Sequence, residues 1–425
     1  MRAVILATER DFVFDEDRPL ALIKICGVSL IARILNSIRA AGIREALIVL
    51  GFKGEEIQDM LKNGEEIGLN LLYLKTGEYK PSRLLEDFLN DDLLIINADV
   101  VVDKEFVKQV TKIEGNVTFH FNGKPVGIYR VSKEYSRLLQ NYIALNNIEE
   151  MVKKIEGISH RLNVSNMQME HLELKRVVSP ICIKIESEET IKLAKKRLVF
   201  RTQKGLHFTS YINKPIEDRV TYHIADISWI TPNRITIFTN IVAFFTAALL
   251  LLGYVRIAVI LAYFVGILDG LDGKLARARG ILTKLGYVEH TFDMLYEQTW
   301  YACFALSLYF LDNNPLSLIL GLCVLLADSF VRHCYMQFKE TMGKALTAYT
   351  NFDRIFARID GRRNVYVLYM IIFSWLDKPF YAMYAMLVHS LITAIVYAVR
   401  AFQHMSAADK VEGIKGFLKL VGKPS

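Results

Sequence analysis

The sequence predicts a chain in two parts: an N-terminal α/β domain and a C-terminal all-α domain of six transmembrane helices. Three observations carry that prediction. Residues 1–230 alternate short β-branched runs with helical periodicity and contain no apolar run long enough to cross a bilayer. From residue 235 onward, six apolar stretches follow one another with short polar breaks. Mean hydropathy, at +0.25, is high for a wholly soluble chain, and 425 residues leave room for two or three domains.

Taken in order, residues 3–7 read as a strand, 29–41 as a helix, 45–51 as a strand and 92–97 as another, an alternation that argues for a mostly parallel sheet. The opening Met1–Ala7 run is too short, and too soon followed by charge, for a cleavable signal peptide to be expected. Residues 206–232 form a linker in which Tyr222, His223 and Trp229 suit an interfacial helix at headgroup level, with Pro232 breaking it before the first span. The spans are 235–253, 256–268 extended by an acidic helix end, 288–311, 315–338, 364–376 and 379–402. Several fall short of 20 apolar residues, so tilt or protrusion must make up the length.

Lys274, Arg277, Arg279 and Lys284 follow the second span, and Lys339, Lys344, Arg354, Arg358, Arg362 and Arg363 follow the fourth. The opposite side has only Arg256 and Lys378 near the spans. This bias predicts a multi-pass cell-membrane protein with its N-terminal domain, its acidic residues and a basic tail (406–425) on the cytoplasmic side. The net charge of +7 is then mostly a signal for orientation and anionic membrane lipids. No nucleic-acid partner is expected, because the basic residues flank spans and do not interleave with aromatics on a soluble face. The five cysteines (Cys26, Cys182, Cys303, Cys323, Cys334) form no CxxC pair and read as buried thiols in a reducing compartment.

The end of the second span carries the most informative stretch, Asp269-Gly270-Leu271-Asp272-Gly273-Lys274-Leu275-Ala276-Arg277. Carboxylates at i and i+3 share one helix face. At a membrane edge they are expensive unless neutralised, which calls for a cation. Gly273 and Ala276 let a ligand approach the backbone, and Arg277 adds a fixed positive charge suited to phosphate. Glu289, Asp293 and Glu297 follow at four-residue intervals, a second acidic row on one helix face. Two acidic helices would offer the hard oxygen ligands that Mg²⁺ takes alongside a phosphate.

The run D-x-x-D-G-x-x-A-R, a short spacer and a second acid pair resemble the signature of the CDP-alcohol phosphotransferases (CDP-alcohol phosphatidyltransferases). These are integral membrane enzymes that displace CMP from a CDP-linked alcohol with the hydroxyl of a second alcohol. The first half matches at every specified position. In the second, the longer spacer puts Gly286 in the family's glycine slot and His290 and Met294 where aspartates belong. A spacer one residue shorter keeps the carboxylates Glu289 and Asp293, with Leu285 replacing the glycine, and is the preferred register. Pro232-Asn233-Arg234-Ile235-Thr236 resembles the start of the family's first span.

The resemblance implies that Asp269, Asp272, Glu289 and Asp293 bind Mg²⁺ or Mn²⁺. Asp293 would take the proton from the acceptor hydroxyl, with Glu297 or His290 as the next candidate. Asn233, Asp269, Asp272, Gly273, Ala276 and Arg277 would hold the donor nucleotide. Arg358, Arg362 and Arg363, at a cytoplasmic membrane edge, suit an acceptor phosphate or, equally, anionic lipid. Asp328 and Arg332, four apart, suit an internal ion pair, and His389 a hydrogen-bonded core position.

Val4-Ile5-Leu6-Ala7, Gly27-Val28-Ser29-Leu30-Ile31, Ala41-Gly42-Ile43 and Gly51-Phe52-Lys53-Gly54-Glu55-Glu56-Ile57 resemble the sugar-phosphate nucleotidyltransferases, giving a nucleotidyltransferase-like (Rossmann-like) N-terminal domain over 1–205. In them the first strand feeds a glycine-rich phosphate loop. Here Thr8–Asp15 holds no glycine and four charged side chains, and Leu20 follows Arg18-Pro19 where the family has a lysine. Asn97-Ala98-Asp99 keeps an acid where that family places a metal ligand. The domain is therefore expected to have the fold without the activity.

The layout, with six spans over 233–405, resembles the fused inositol-phosphate cytidylyltransferase/di-myo-inositol-phosphate-phosphate synthases. That resemblance implies CDP-inositol as donor, inositol phosphate as acceptor, CMP as product and a homodimer. Three rivals stay open: a phospholipid synthase using a CDP-linked lipid, a membrane prenyltransferase, and a membrane-tethered CDP-binding pseudoenzyme.

Overall fold

The computed structural model describes residues 1–76, 83–136, 139, 142, 147–171, 176–204, 207–281, 286 and 288–421; the side chains of 83–85, 148, 170–171, 176, 289 and 411–421 lie outside that description. Lys284, Leu285 and residues 422–425 of the expected basic tail are likewise outside the described residues. The chain divides into two units. Unit 1 is Met1–Gln203 with Thr221–Ile230 and Lys274–Ile281, and unit 2 is Lys204–Val220, Thr231–Gly273 and Leu282–Ser425.

Unit 1 is built on a seven-stranded sheet of β1 (Arg2–Ala7), β2 (Glu45–Leu50), β3 (Asn70–Lys75), β4 (Leu93–Asn97), β5 (Val117–Phe121), β6 (Lys124–Val131) and β7 (His160–Asn163), in the order β7-β5-β6-β4-β1-β2-β3. β1 lies parallel to β2 and β4, with Ile5 opposite Ile48 and Ile96. β3 extends β2 in parallel and β7 extends β5, while β6 runs against both β4 and β5. Side chains alternate faces along a strand. Ala3, Ile5 and Ala7 accordingly join Ile31, Ile34 and Ile38 of the helix Leu30–Ala40 on one face. Val4 and Leu6 join Phe88 and Leu89 on the other. A sheet covered on both faces has continuous apolar strands rather than alternating ones, as β1 and β2 do. Ser29 caps the helix Leu30–Ala40, its Oγ accepting the Ala32 N–H at 3.4 Å. The strands and the helix begin and end within one residue of the positions expected.

Unit 2 is helical. A junction helix (Phe208–Ile224) is followed by helices Pro232–Leu251, Val255–Arg279, Glu289–Asp312, Leu316–Met342, Arg363–Trp375 and Pro379–Val421, so a helix stands at each of the six expected spans. Thr231 caps the first of these with Pro232 in its first turn, where a missing N–H costs no hydrogen bond. Pro232 thus starts a helix as well as ending the junction. Among the described residues three helices are long and apolar enough to cross a bilayer: Pro232–Leu251, Leu316–Met342 and Pro379–Lys410. The others fall short for separate reasons. Val255–Arg279 ends in charge, Glu289–Asp312 begins with it, and the 13 residues of Arg363–Trp375 reach only about 20 Å of a core about 30 Å thick.

Ile237, Phe238, Ile241 and Phe245 form an exposed apolar stripe on Pro232–Leu251, the face a lipid environment accepts. The interior packs Ala258, Ala262 and Val265 against Tyr296, Trp300, Phe304 and Met370, and Trp300 Nε1 donates to the Ala243 carbonyl at 2.8 Å. All five thiols are free; Cys26, Cys182 and Cys303 are buried, Cys323 and Cys334 half-buried.

Candidate active site

The helix Val255–Arg279, called the motif helix below, carries Asp269 and Asp272 near its end. Asp272 is buried, and its Oδ2 accepts the hydroxyl of Thr236 at 2.6 Å from the neighbouring helix. Its Oδ1 accepts the N–H of Gly273. Asp269 is half-buried, and its Oδ2 meets Arg363 Nη2 at 2.6 Å. Between the two lies Gly270, where a Cβ would stand 2.6 Å from Glu217 Oε1 of the junction helix. A side chain there would displace the Glu217 carboxylate.

The second acidic row comes from Glu289–Asp312. Asp293 is half-buried, accepts a hydrogen bond from His290 Nδ1 at 3.3 Å, and feels the charges of Asp269, Arg363 and Glu297. Glu297 is buried; its Oε1 lies 3.0 Å from Arg363 Nη1 and its Oε2 pairs with Arg332. Arg332 also donates Nε to Asp328 Oδ2 at 2.7 Å, which realises the expected internal pair. Arg363 completes its contacts on the Tyr296 hydroxyl and, through Nε, on Asn364 Oδ1 at 3.1 Å. Three carboxylates (Asp269, Glu297, Asp328) thus share two guanidiniums (Arg332, Arg363), which leaves one net negative charge before Asp293 is added. Such a cluster in a low-dielectric setting favours a further cation.

The structure brings Asp269, Asp293, Glu297 and Arg363 together and sets Asp272 one turn along the same helix. Glu289 opens its helix, but its side chain lies outside the described residues. Asn233 is exposed in the first turn of Pro232–Leu251. Gly273 and Ala276 are half-buried, and Arg277 spends its Nε on the Thr202 carbonyl at 2.8 Å. The three arginines expected to grip an acceptor phosphate do not stand together. Arg358 is exposed, Arg362 is paired with Asp360 (Nε to Oδ1, 2.6 Å), and only Arg363 enters the acidic site. His389 bridges Tyr369 OH at 3.0 Å and the Ile359 carbonyl at 2.9 Å, as a structural histidine should. Among the described residues, no three acids, histidines or cysteines are grouped so that they could hold a metal ion. Arg363 takes Asp269 instead.

Thr236, Tyr296 and Glu217 are site neighbours that the sequence reading did not select. Thr236 lies in the Pro-Asn-x-Ile-Thr stretch, so a signal for it was present. Glu217 had none, because its relation to Gly270 exists only across two helices.

In unit 1 the segment after β1 closes on itself. Asp11, fully buried, accepts the N–H groups of Val13 (2.9 Å) and Phe14 (3.0 Å) on Oδ1 and Arg18 Nε (2.9 Å) on Oδ2. What remains beside it is a cavity of about 20 Å³ lined by Thr8, Glu9, Leu20, Asn97 and Asp99 among others, room for about one water. Burial pushes the Asp99 carboxyl up to about 7 against the pull of Lys184.

Residues 229–396 match the family described as CDP-alcohol phosphatidyltransferase. Over 399 residues the chain is 21% identical to a bifunctional IPC transferase and DIPP synthase of Thermococcus kodakarensis, covering 88% of this chain and 90% of that protein. A protein of the same description from Aquifex aeolicus is 22% identical over 302 residues, 64% of this chain and 68% of its own length. A bifunctional GlmU protein of Streptococcus uberis is 25% identical over 156 residues, 36% of this chain and 33% of that protein. With the first half of the motif complete on one helix and the second acidic row facing it, residues 229–396 are a CDP-alcohol phosphatidyltransferase domain, a transferase of phosphate-containing groups, joined to a nucleotidyltransferase-like α/β unit.

Proposed function

We propose that the chain is a multi-pass membrane enzyme that transfers the phosphoalcohol of CDP-inositol to an inositol phosphate and releases CMP. Its N-terminal domain and acidic site lie on the cytoplasmic side. The observation that carries this reading is Arg363 bridging Asp269 and Glu297, with Asp293 within electrostatic reach of all three and Asp272 on the same motif helix. The relatives described as IPC transferases and DIPP synthases support the inositol-containing pair. The basic residues that follow the motif helix and precede Arg363 support the orientation.

The motif's acids supply the oxygen donors that a hard divalent cation takes, although the described residues do not group three of them as a ligand set. Asp269, Asp272 and Asp293 would hold Mg²⁺ or Mn²⁺, with Glu289 as the fourth acid. When bound, such an ion supplies Lewis-acid charge to the diphosphate. Asp293 accepts the proton of the acceptor hydroxyl as that oxygen bonds to the alcohol-bearing phosphorus. The bond from this phosphorus to the bridging oxygen breaks, and CMP leaves with the electron pair. Arg363 keeps the Asp269 and Glu297 carboxylates apart and oriented while the base works.

The test is CMP release by the purified full-length protein given Mg²⁺, inositol phosphate and either CDP-inositol or a CDP-linked lipid. The expected result is release with CDP-inositol, lost on adding a chelator and regained with excess Mg²⁺. Release with the lipid donor alone would replace the substrate. CDP binding without release from either donor would overturn the transferase reading.

A further inference from the structure

The motif helix ends at Arg279, and the last carbonyls of any helix need partners from elsewhere. Within unit 1 they find them on the helix Leu30–Ala40. Arg33 donates Nη1 to the Ala278 carbonyl at 3.1 Å and Nη2 to the Ile25 carbonyl at 2.9 Å. Asn36, one turn on, donates Nδ2 to the Gly280 carbonyl at 2.6 Å. Arg279 makes the reciprocal gesture toward the chain leaving the junction helix. Its guanidinium donates to the carbonyls of Ala225 (3.0 Å), Ile227 (2.9 Å) and Ile230 (2.8 Å). Gly27 seals the contact: its N–H donates to Asp226 Oδ1 at 3.2 Å, and a Cβ there would stand 3.2 Å from the Ala225 carbonyl.

Arg33 is 5% exposed and Arg279 7% exposed, yet neither pairs with a carboxylate among the described residues. A buried guanidinium without an acid is costly. What balances it is the negative end of helix dipoles, the C-terminal carbonyls of the motif helix for Arg33 and those after the junction helix for Arg279. Arg33 divides its donors between the end of the motif helix and the Ile25 carbonyl, and Arg279 gives its donors to the carbonyls after the junction helix.

We propose that Arg33 and Asn36 are positioning residues for the transferase. They hold the last turn of the helix that presents Asp272 about 9 Å upstream. These contacts lie within unit 1, which includes the end of the motif helix, Lys274–Ile281. The positioning role rests on the assignment of Asp269 and Asp272 to the transfer site.

The experiment uses the full-length protein in lipid nanodiscs with Arg33→Met, Arg33→Lys and Asn36→Ala. Three quantities are read: kcat and KM for CMP release, hydrogen exchange of the amides in 274–281, and thermal unfolding. A misplacement of about 1 Å at a reacting group costs about 10²-fold. Arg33→Met is expected to lower kcat by about that factor with KM for the CDP donor nearly unchanged, and to speed exchange in 274–281 selectively. Arg33→Lys should recover part of both, since an ammonium can still reach one carbonyl. Asn36→Ala should give the same pattern, smaller. Wild-type kcat and unchanged exchange at 274–281 in folded Arg33→Met would overturn the proposal, and so would a uniform rise in exchange across unit 1. If wild type itself releases no CMP, the transferase reading fails, while selective exchange at 274–281 still decides whether Arg33 and Asn36 hold this helix end.

Discussion

Arg363 Nη2 stands 2.6 Å from Asp269 while its Nη1 stands 3.0 Å from Glu297, so one guanidinium joins the motif helix to the acidic helix that faces it. Removing it leaves two carboxylates facing each other without their shared partner. Breaking a buried pair in this way costs about 3–5 kcal/mol. Arg363→Met should lower the unfolding temperature and reduce CMP release by two orders of magnitude or more, about what one misplaced reacting group costs. Arg363→Lys should keep part of the stability and less of the activity, because an ammonium cannot bridge two carboxylates as a planar fork does. Equal stability in wild type and Arg363→Met, read by thermal unfolding, would remove the guanidinium from this role.

The second acidic row can be read in more than one register. Asp293 and Glu297 face the Asp269–Arg363 pair. Asp269→Asn should abolish transfer, and Asp293→Asn should stop it while leaving CDP binding, measured by calorimetry, within a few-fold of wild type. Glu289→Gln and Glu297→Gln separate the registers. If Glu289 is a metal ligand, its substitution raises the Mg²⁺ concentration needed for half-maximal CMP release, whereas Glu297→Gln lowers stability and kcat together. Activity retained in Asp293→Asn would move the base to Glu297 or His290.

The secondary structure was legible where local pattern decides it. The continuous apolar run of β1 and the helical period from Leu30 onward place their elements within a residue. Asp328 and Arg332 were legible as a pair because four residues on a helix make neighbours. The pairing of Arg363 was not, since its partner Asp269 lies 94 residues away and the sequence offered Arg363 only as a contact for an acceptor phosphate or anionic lipid. The same holds for Arg33, whose partner Ala278 is 245 residues distant. Periodicity reports which face of a helix is buried and is silent about what it is buried against.

Gly270 tests the packing of the junction helix on the site. A Cβ there would lie 2.6 Å from Glu217 Oε1, a contact no real side chain makes without movement. The Glu217 carboxylate is buried, so it must move within packed surroundings, and whatever part of the relief the helix takes up shifts Asp269 and Asp272, its neighbours in sequence. Gly270→Ala should therefore reduce CMP release although alanine favours helix more than glycine does. The double variant Gly270→Ala with Glu217→Ala should recover activity relative to Gly270→Ala alone. No recovery, measured as kcat/KM in the double variant, would mean that the Glu217 carboxylate is itself needed.

Asp99 gives unit 1 a pH dependence of opposite sign to that of an ordinary ion-paired acid. Burial raises its carboxyl from the usual range near 3.8 to about 7, with Lys184 too far, at 3.8 Å, to cancel the effect. Between these values the folded chain keeps a proton that the unfolded chain has released. The unfolded state then binds fewer protons, so stability falls as pH rises, by up to about 1.4 kcal/mol per pH unit, and levels off above the folded value. Asp99→Asn abolishes the titration while keeping the shape. Thermal unfolding of unit 1, followed in the full-length protein from pH 5 to 8, should show a falling melting temperature for wild type and a flatter profile for Asp99→Asn. Parallel profiles would place the Asp99 carboxylate in contact with water or a cation in solution, and would reopen the cavity beside it as a ligand site.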